Sequence, residues 1–143
     1  MAHIRRAYPH EEAWINEQYK EVGFLPSDLA REFVAIAEHA GLRAALGRLV
    51  PIGADCAELG GIYVLPEFRG LGLATEMVSH LLRQGVGHEK IFCLPFAHLV
   101  QLYAGLGFRP CEETEEIPRA VRDKLRWCNS QYEHPTLLLV RSR

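Results

Sequence analysis

The hexapeptide Arg69-Gly70-Leu71-Gly72-Leu73-Ala74 places two glycines one residue apart, directly ahead of a helical pattern. Gly70 and Gly72 let backbone amides approach a ligand closely and take positive φ where needed. From Ala74 to Gln84 the apolar residues Met77, Val78, Leu81 and Leu82 recur at helical spacing. A glycine loop that opens a helix offers unpaired N–H groups at the positive end of the helix dipole, which suits a phosphate or pyrophosphate. Two other phosphate loops fail on spacing. No Gly-Lys-Ser/Thr is present, as a Walker A loop requires, and Thr75 stands where a dinucleotide fingerprint needs a third glycine. A second chemical group is Arg119, Arg122 and Arg126, near i, i+3, i+7, with Trp127, Asn129 and Tyr132 beyond. Those guanidinium groups could bind a carboxylate bidentately, or could form a solvated face paired with the glutamates at 112–116.

The elements that position these residues follow from patterning. Leu59–Leu65 is an apolar run that predicts a buried strand, ended by Pro66. Residues 91–108 predict a strand (Ile91–Leu94), a break at Pro95, and a helix closed by Gly107. Leu99, Leu102, Tyr103 and Leu106 would share one face of that helix. Earlier in the chain, His3–Ala7 predicts a short strand. Ala13, Trp14, Ile15, Tyr19 and Val22 predict an amphipathic helix over Glu11–Val22, stopped by Gly23. A loop at Phe24–Asp28 follows, then strands over Glu32–Glu38, Leu42–Pro51 and Glu58–Leu65, with turns at His39–Gly41 and Gly53–Asp55. Near the end, Arg119–Asn129 predicts a helix and Thr136–Arg141 a strand. An antiparallel meander therefore precedes one parallel βαβ unit, which sets the chain apart from a Rossmann alternation.

The 69–74 segment, with Val64-x-Pro66-Glu67 before it, resembles motif A of the GCN5-related N-acetyltransferase (GNAT) superfamily. Leu102-Tyr103-x-x-x-Gly107-Phe108 resembles that family's motif B, and the two lie in the right order about 35 residues apart, as one βαβ crossover allows. The resemblance implies an α/β (α+β) fold: a single GNAT domain over 1–143 with a central mixed sheet of six to seven strands and helices on both faces. Residues 112–134 would be a helical insertion before the last strand, near acceptor entry. It also implies acetyl-CoA as donor, with coenzyme A as product. The backbone of Ile62, Tyr63 and Val64 would meet the pantetheine arm, unless those residues simply pair with Ile91–Leu94, and Arg69, Gly70, Leu71, Gly72, Leu73 and Ala74 would hold the pyrophosphate.

Glu58, eleven residues before Arg69, matches the offset of the glutamate base in the histone acetyltransferase branch. It is the candidate general base, with a solvated strand-start glutamate, or a water relay in its place, as the other readings. Tyr103 is the candidate general acid for the departing thiolate, and it also falls on the helix's apolar stripe, where a core tyrosine would sit. Phe96 stands where many relatives carry an asparagine. Acceptor-side candidates are Asn16, Tyr19, Phe24 and Ser27 by position, and Arg122, Arg126, Trp127 and Tyr132 on the insertion.

Composition fits that reading. The chain has 143 residues, 48% hydrophobic and 24% charged, with a net charge of −2, as an ordinary globular domain has. Such a charge favours neither nucleic acid nor an anionic membrane, and no apolar run approaches 18 residues. Cytoplasmic location is the expectation. Cys56, Cys93, Cys111 and Cys128 show no C-x-x-C pair and no metal-like spacing with the seven histidines, which predicts reduced, mostly buried thiols and no metal. The expected activity is N-acetylation of a primary amine on a small molecule or peptide in a ternary complex, by a chain that could form a homodimer. A non-catalytic acyl-CoA-binding module, or a toxin-like transferase acting on aminoacyl-tRNA, are the alternatives.

Overall fold

The two-residue turn Ala40-Gly41 organises the first half of the fold. Both residues have positive φ (53° and 77°), the geometry whose twist matches flanking antiparallel strands. It joins β2 (Phe33–His39) to β3 (Leu42–Ile52), with His39 opposite Leu42 and a register irregularity at Ala37/Glu38. β1 (His3–Arg6) lies antiparallel against β2. In this computed structural model, residues 2–112 and 114–143 are described; Met1 and Glu113, the latter part of the acidic stretch, lie outside the described residues.

The remaining elements are α1 (Glu12–Glu21), β4 (Cys56–Val64), α2 (Leu73–Gln84), β5 (Lys90–Cys93), α3 (Val100–Ala104), β6 (Arg109–Pro110), α4 (Arg119–Gln131) and β7 (Leu139–Ser142). They form one seven-stranded mixed sheet in the order β1-β2-β3-β4-β5-β7-β6. β4 and β5 are parallel, joined through α2, while β7 runs antiparallel to both β5 and β6. The meander followed by βαβ is therefore as the sequence predicts, and α4 interrupts the β6–β7 hairpin.

Two compact units divide the chain: Met1–Val50 with Gly61–Gln84, and Pro51–Gly60 with Gly85–Arg143. Strand β4 contributes residues to each. In the first, Ile15, Tyr19, Val34, Ile36 and Leu46 form a core against which Trp14 and Phe24 pack. Burying each such side chain contributes about 1.5–3 kcal/mol. Strand alternation puts helices on both faces here: a Cβ on Gly47 would meet Met77 and Leu81 of α2, whereas Arg48 stacks over Tyr19 of α1. In the second unit, Phe92, Val121 and Val140 form the core.

Two expectations need correction. The helix predicted from Pro95 to Gly107 is shorter: a 3-10 turn at Ala97–Leu99 precedes α3, and Leu99 is exposed. Phe96 is held extended by its bridge to Thr136, so helix begins only beyond it. The other is the burial of Leu59–Leu65, where only the beginning of the run is fully covered. Ala57, Glu58 and Leu59 are buried, and Gly60–Val64 are half-buried. The parallel ladder explains this, because its last pair is Leu59 with Cys93.

Candidate active site

β4 runs five residues past its ladder with β5, so Ile62, Tyr63 and Val64 do not pair with that strand. The competing reading of these residues as β5 partners is thereby removed. After Pro66–Phe68, the chain passes through Gly70 (φ 84°) and Gly72 (φ 77°), where a Cβ would meet nothing within 4 Å. Helix α2 starts with Glu76 N–H donating to the Gly72 carbonyl (3.2 Å). The N–H groups of Leu73, Ala74 and Thr75 precede that bond and lack intrahelical acceptors, as at any helix start. Arg69 Nε donates to the Val64 carbonyl (3.3 Å), which ties the loop back to the end of β4. Leu71 is exposed while Leu73 is buried, so the loop's backbone rather than its side chains defines the cradle.

The second unit holds Glu58 and Tyr103. Glu58 is 6% exposed, and its Oε2 accepts a hydrogen bond from Lys124 Nζ at 2.8 Å. It is not a solvated strand-start residue. Tyr103 is buried at the end of α3, where a Schellman ending fixes it. Phe108 N–H donates to the Tyr103 carbonyl (3.1 Å), Gly107 N–H to that of Ala104 (3.2 Å), and the Tyr103 and Phe108 rings meet edge to face. Gly107-Phe108 thus shapes the helix end that orients the phenol. Burial raises the Tyr103 pKa well above its ordinary value, and the neighbouring Cys93 raises it further. Cys93 is itself pushed up, by burial and then by the charge of Glu58.

On α4 the buried positions are Val121 and Cys128. Arg122 and Arg126 are exposed, and Arg119 faces Asp123 at 3.8 Å. Among the described residues these arginines do not pair with the acidic stretch: Glu115 accepts two hydrogen bonds from Arg109 (2.7 and 2.8 Å) and lies 3.6 Å from Lys90. Trp127 and Tyr132 meet edge to face, and Tyr132 also meets Phe96. Lys124, which sequence reasoning misses, is the helix's basic residue that reaches Glu58. A signal for it exists, since Lys124 falls inside the stripe that Val121, Leu125 and Cys128 define.

The first unit gathers the four acceptor-side candidates named by position. Asn16 Nδ2 donates to the Ser27 carbonyl (2.9 Å) and Asn16 Oδ1 accepts from Ser27 N–H (2.7 Å), pinning the loop to α1. Tyr19 donates to the Gly61 carbonyl (2.8 Å) and packs against Phe24. Arg48 joins two of them, Tyr19 and Ser27. It is 4% exposed, stacks over the Tyr19 ring with its Cζ 4.5 Å from the centroid, and donates to Ser27 Oγ (2.7 Å). Sequence reasoning misses it too, although a charge inside the apolar run Ala44–Val50 is a legible anomaly.

Comparison with known proteins bears on this geometry. The acetyltransferase (GNAT) family matches residues 2–108, a span that holds both glycine motifs, Glu58 and Tyr103. The chain belongs to the GNAT acetyltransferase family. No curated protein sequence matches it significantly. Among solved structures, this GNAT chain is similar to N-acetylglutamate synthase from Neisseria gonorrhoeae complexed with coenzyme A and N-acetyl-glutamate. That match has 22% identity and a TM-score of 0.75, and covers 99% of this chain and 35% of that one. The GNAT chain thus spans about a third of the synthase. Rv2747 from Mycobacterium tuberculosis, in complex with CoA and NLQ, matches at 19% identity and TM-score 0.76, covering 99% of each chain. The ribosomal-protein-S18-alanine N-acetyltransferase from Escherichia coli matches at 16% identity and TM-score 0.71, covering 99% and 94%. At such identities these structures establish the GNAT fold. Among the described residues, no helix is long and apolar enough to cross a membrane.

Proposed function

We propose that this protein is an acetyl-CoA-dependent N-acetyltransferase that transfers acetyl to the primary amine of a small molecule by direct attack in a ternary complex. The observation that carries the proposal is the extension of β4 beyond β5, followed by the open glycine loop at the start of α2. Ile62–Val64 would offer strand hydrogen bonds to an amide-bearing arm, and the amides at 69–74 would hold its pyrophosphate. Acetyl-CoA, the donor used by GNAT enzymes, supplies the activated thioester.

In this proposal the chain's own groups manage protons. Glu58 Oε1 takes the proton lost by the attacking amine, while Lys124 holds Oε2 and fixes the carboxylate's orientation. Tyr103 stays protonated at neutral pH because burial disfavours its phenolate. The same burial makes it a reluctant acid in the resting protein, so its O–H donates as negative charge builds on the leaving sulfur. The whole chain, 1–143, then acts as one acetyltransferase domain, and the insertion at 112–134 supplies Lys124 to Glu58.

A matched pair of variants tests the cradle. Gly72→Asp and Gly72→Asn carry similar strain at the positive φ, so only the charge distinguishes them. Acetyl-CoA affinity by calorimetry should be about tenfold or more weaker in the Asp variant than in the Asn variant. Equal affinities would remove the pyrophosphate assignment. Thiol release from acetyl-CoA across an amine panel tests the reaction. Undiminished acetyl-CoA binding without release for any amine would instead support a non-catalytic binding module.

A further inference from the structure

Arg48 is a buried guanidinium with no carboxylate in an ion pair with it among the described residues. Of its five N–H donors, the two on Nη1 are used, on the Leu25 carbonyl (2.8 Å) and Ser27 Oγ (2.7 Å). Nε is buried without a partner, and Nη2 bonds to none of the described residues. Glu32, whose charge acts on the same Tyr19 phenol, accepts the Asp28 N–H through Oε2 (3.3 Å); its Oε1 is buried without a partner among the described residues and makes no ion pair with Arg48. The Tyr19 ring stabilises the cation through its face but fills no N–H group.

The unfilled Nε–Nη2 edge is a fork whose geometry matches a carboxylate. Only glycine fits beside that edge: at φ +60° a Cβ on Gly61 would stand 2.9 Å from Nε and 2.6 Å from the Tyr19 hydroxyl. An unpaired buried cation is costly, so a purely structural arginine at this depth should be closed by an anion. Arg48 has one fork to offer and, among the described residues, shares its contacts with no second cation, which suits a monoanion rather than a phosphate. We infer that Arg48 binds a carboxylate of the acceptor, so that the acceptor class is a small amine that also carries a carboxylate, with free amino acids as the simplest case. This deepens the transferase reading above and rests on it.

The test compares the L-amino acids with their α-amides and with carboxylate-free amines such as spermidine and phenethylamine; aspartate and glutamate amides count with the acids. Thiol release by the wild-type protein should favour carboxylate-bearing acceptors in kcat/KM by about 10–100-fold, the range for a hydrogen-bonded charge pair. In Arg48→Gln the preference should shrink to about threefold or less, mainly through acceptor KM and with acetyl-CoA KM unchanged. Arg48→Lys should keep part of it. Equal use of acids and amides by wild type, or a preference that survives in Arg48→Gln, overturns the assignment. Should Arg48→Gln fail to fold, the wild-type ratio and Arg48→Lys decide. Thermal stabilisation of the CoA-bound wild-type protein by the same compounds separates this inference from the reaction itself. If no amine is acetylated, the transferase reading fails. Stabilisation by acids over amides would then still support the carboxylate site, and its absence would overturn that site too.

Discussion

Glu11 and Arg48 are buried to nearly the same degree in the same compact unit, at 1% and 4% exposure, yet their charges are handled in opposite ways. Glu11 receives two hydrogen bonds from Arg5 (2.8 and 3.0 Å), one from Arg43 (2.9 Å) and one from the Tyr8 N–H (2.8 Å). Its carboxylate is saturated, and the Arg5 hydrogen bonds hold its pKa down at about 2 against the opposing effect of burial. Arg48 keeps its buried Nε without a partner among the described residues. Two tyrosines repeat the contrast. Tyr19 closes on a backbone carbonyl, whereas the Tyr103 hydroxyl lies buried beside the Cys93 thiol, a weak acceptor. A buried polar group that its own fold saturates is architecture. One left with a weak partner or none is available for chemistry.

Tyr103→Phe should produce the largest effect, a fall in turnover of about 10²–10⁴-fold with acetyl-CoA affinity nearly unchanged. A drop below about twofold, with chemistry shown to limit the rate, would return Tyr103 to the core and align it with Tyr19. Glu11→Gln should cost about 3 kcal/mol in urea unfolding, since it strips the shared anion from Arg5 and Arg43. The cost is moderated because Arg43 can turn toward water.

Titration sharpens the same point. Because Glu11 is more acidic in the folded protein than its ordinary value of 4.5, its contribution is full above that pH. It is lost as pH falls from about 4.5 to about 2. Acid unfolding of Glu11→Gln should lack that portion of the slope, and an unchanged slope would mean that the pairing is not what stabilises. Smallest of all, Arg48→Gln should change stability by about 1 kcal/mol or less, because removing an uncompensated charge also removes its desolvation cost. A loss as large as that of Glu11→Gln would make Arg48 structural and end the contrast.

How far the amino-acid sequence reveals these features differs by residue. The glycines at 70 and 72 announce themselves because the chain needs positive φ at a strand-to-helix turn, a demand met locally by residue type. Gly107-Phe108 is legible for the same reason: a helix ending is a local hydrogen-bond pattern. Asn16, Tyr19, Phe24 and Ser27 can be named by position, but nothing in their spacing shows that Tyr19 and Ser27 meet Arg48. On α4 the arginines draw attention by number, while Lys124, on the buried side, is the residue that meets Glu58.

The sequence by itself therefore determined the order of strands and helices, the glycine cradle and the closed end of α3, since each rests on short-range periodicity, capping or backbone conformation. Only the tertiary structure decided which charges are spent and which are free. Lys124 lies 66 residues from Glu58, and Ser27 lies 21 from Arg48. Whether a buried ion has a partner depends on which elements the sheet brings together, and that information is not local.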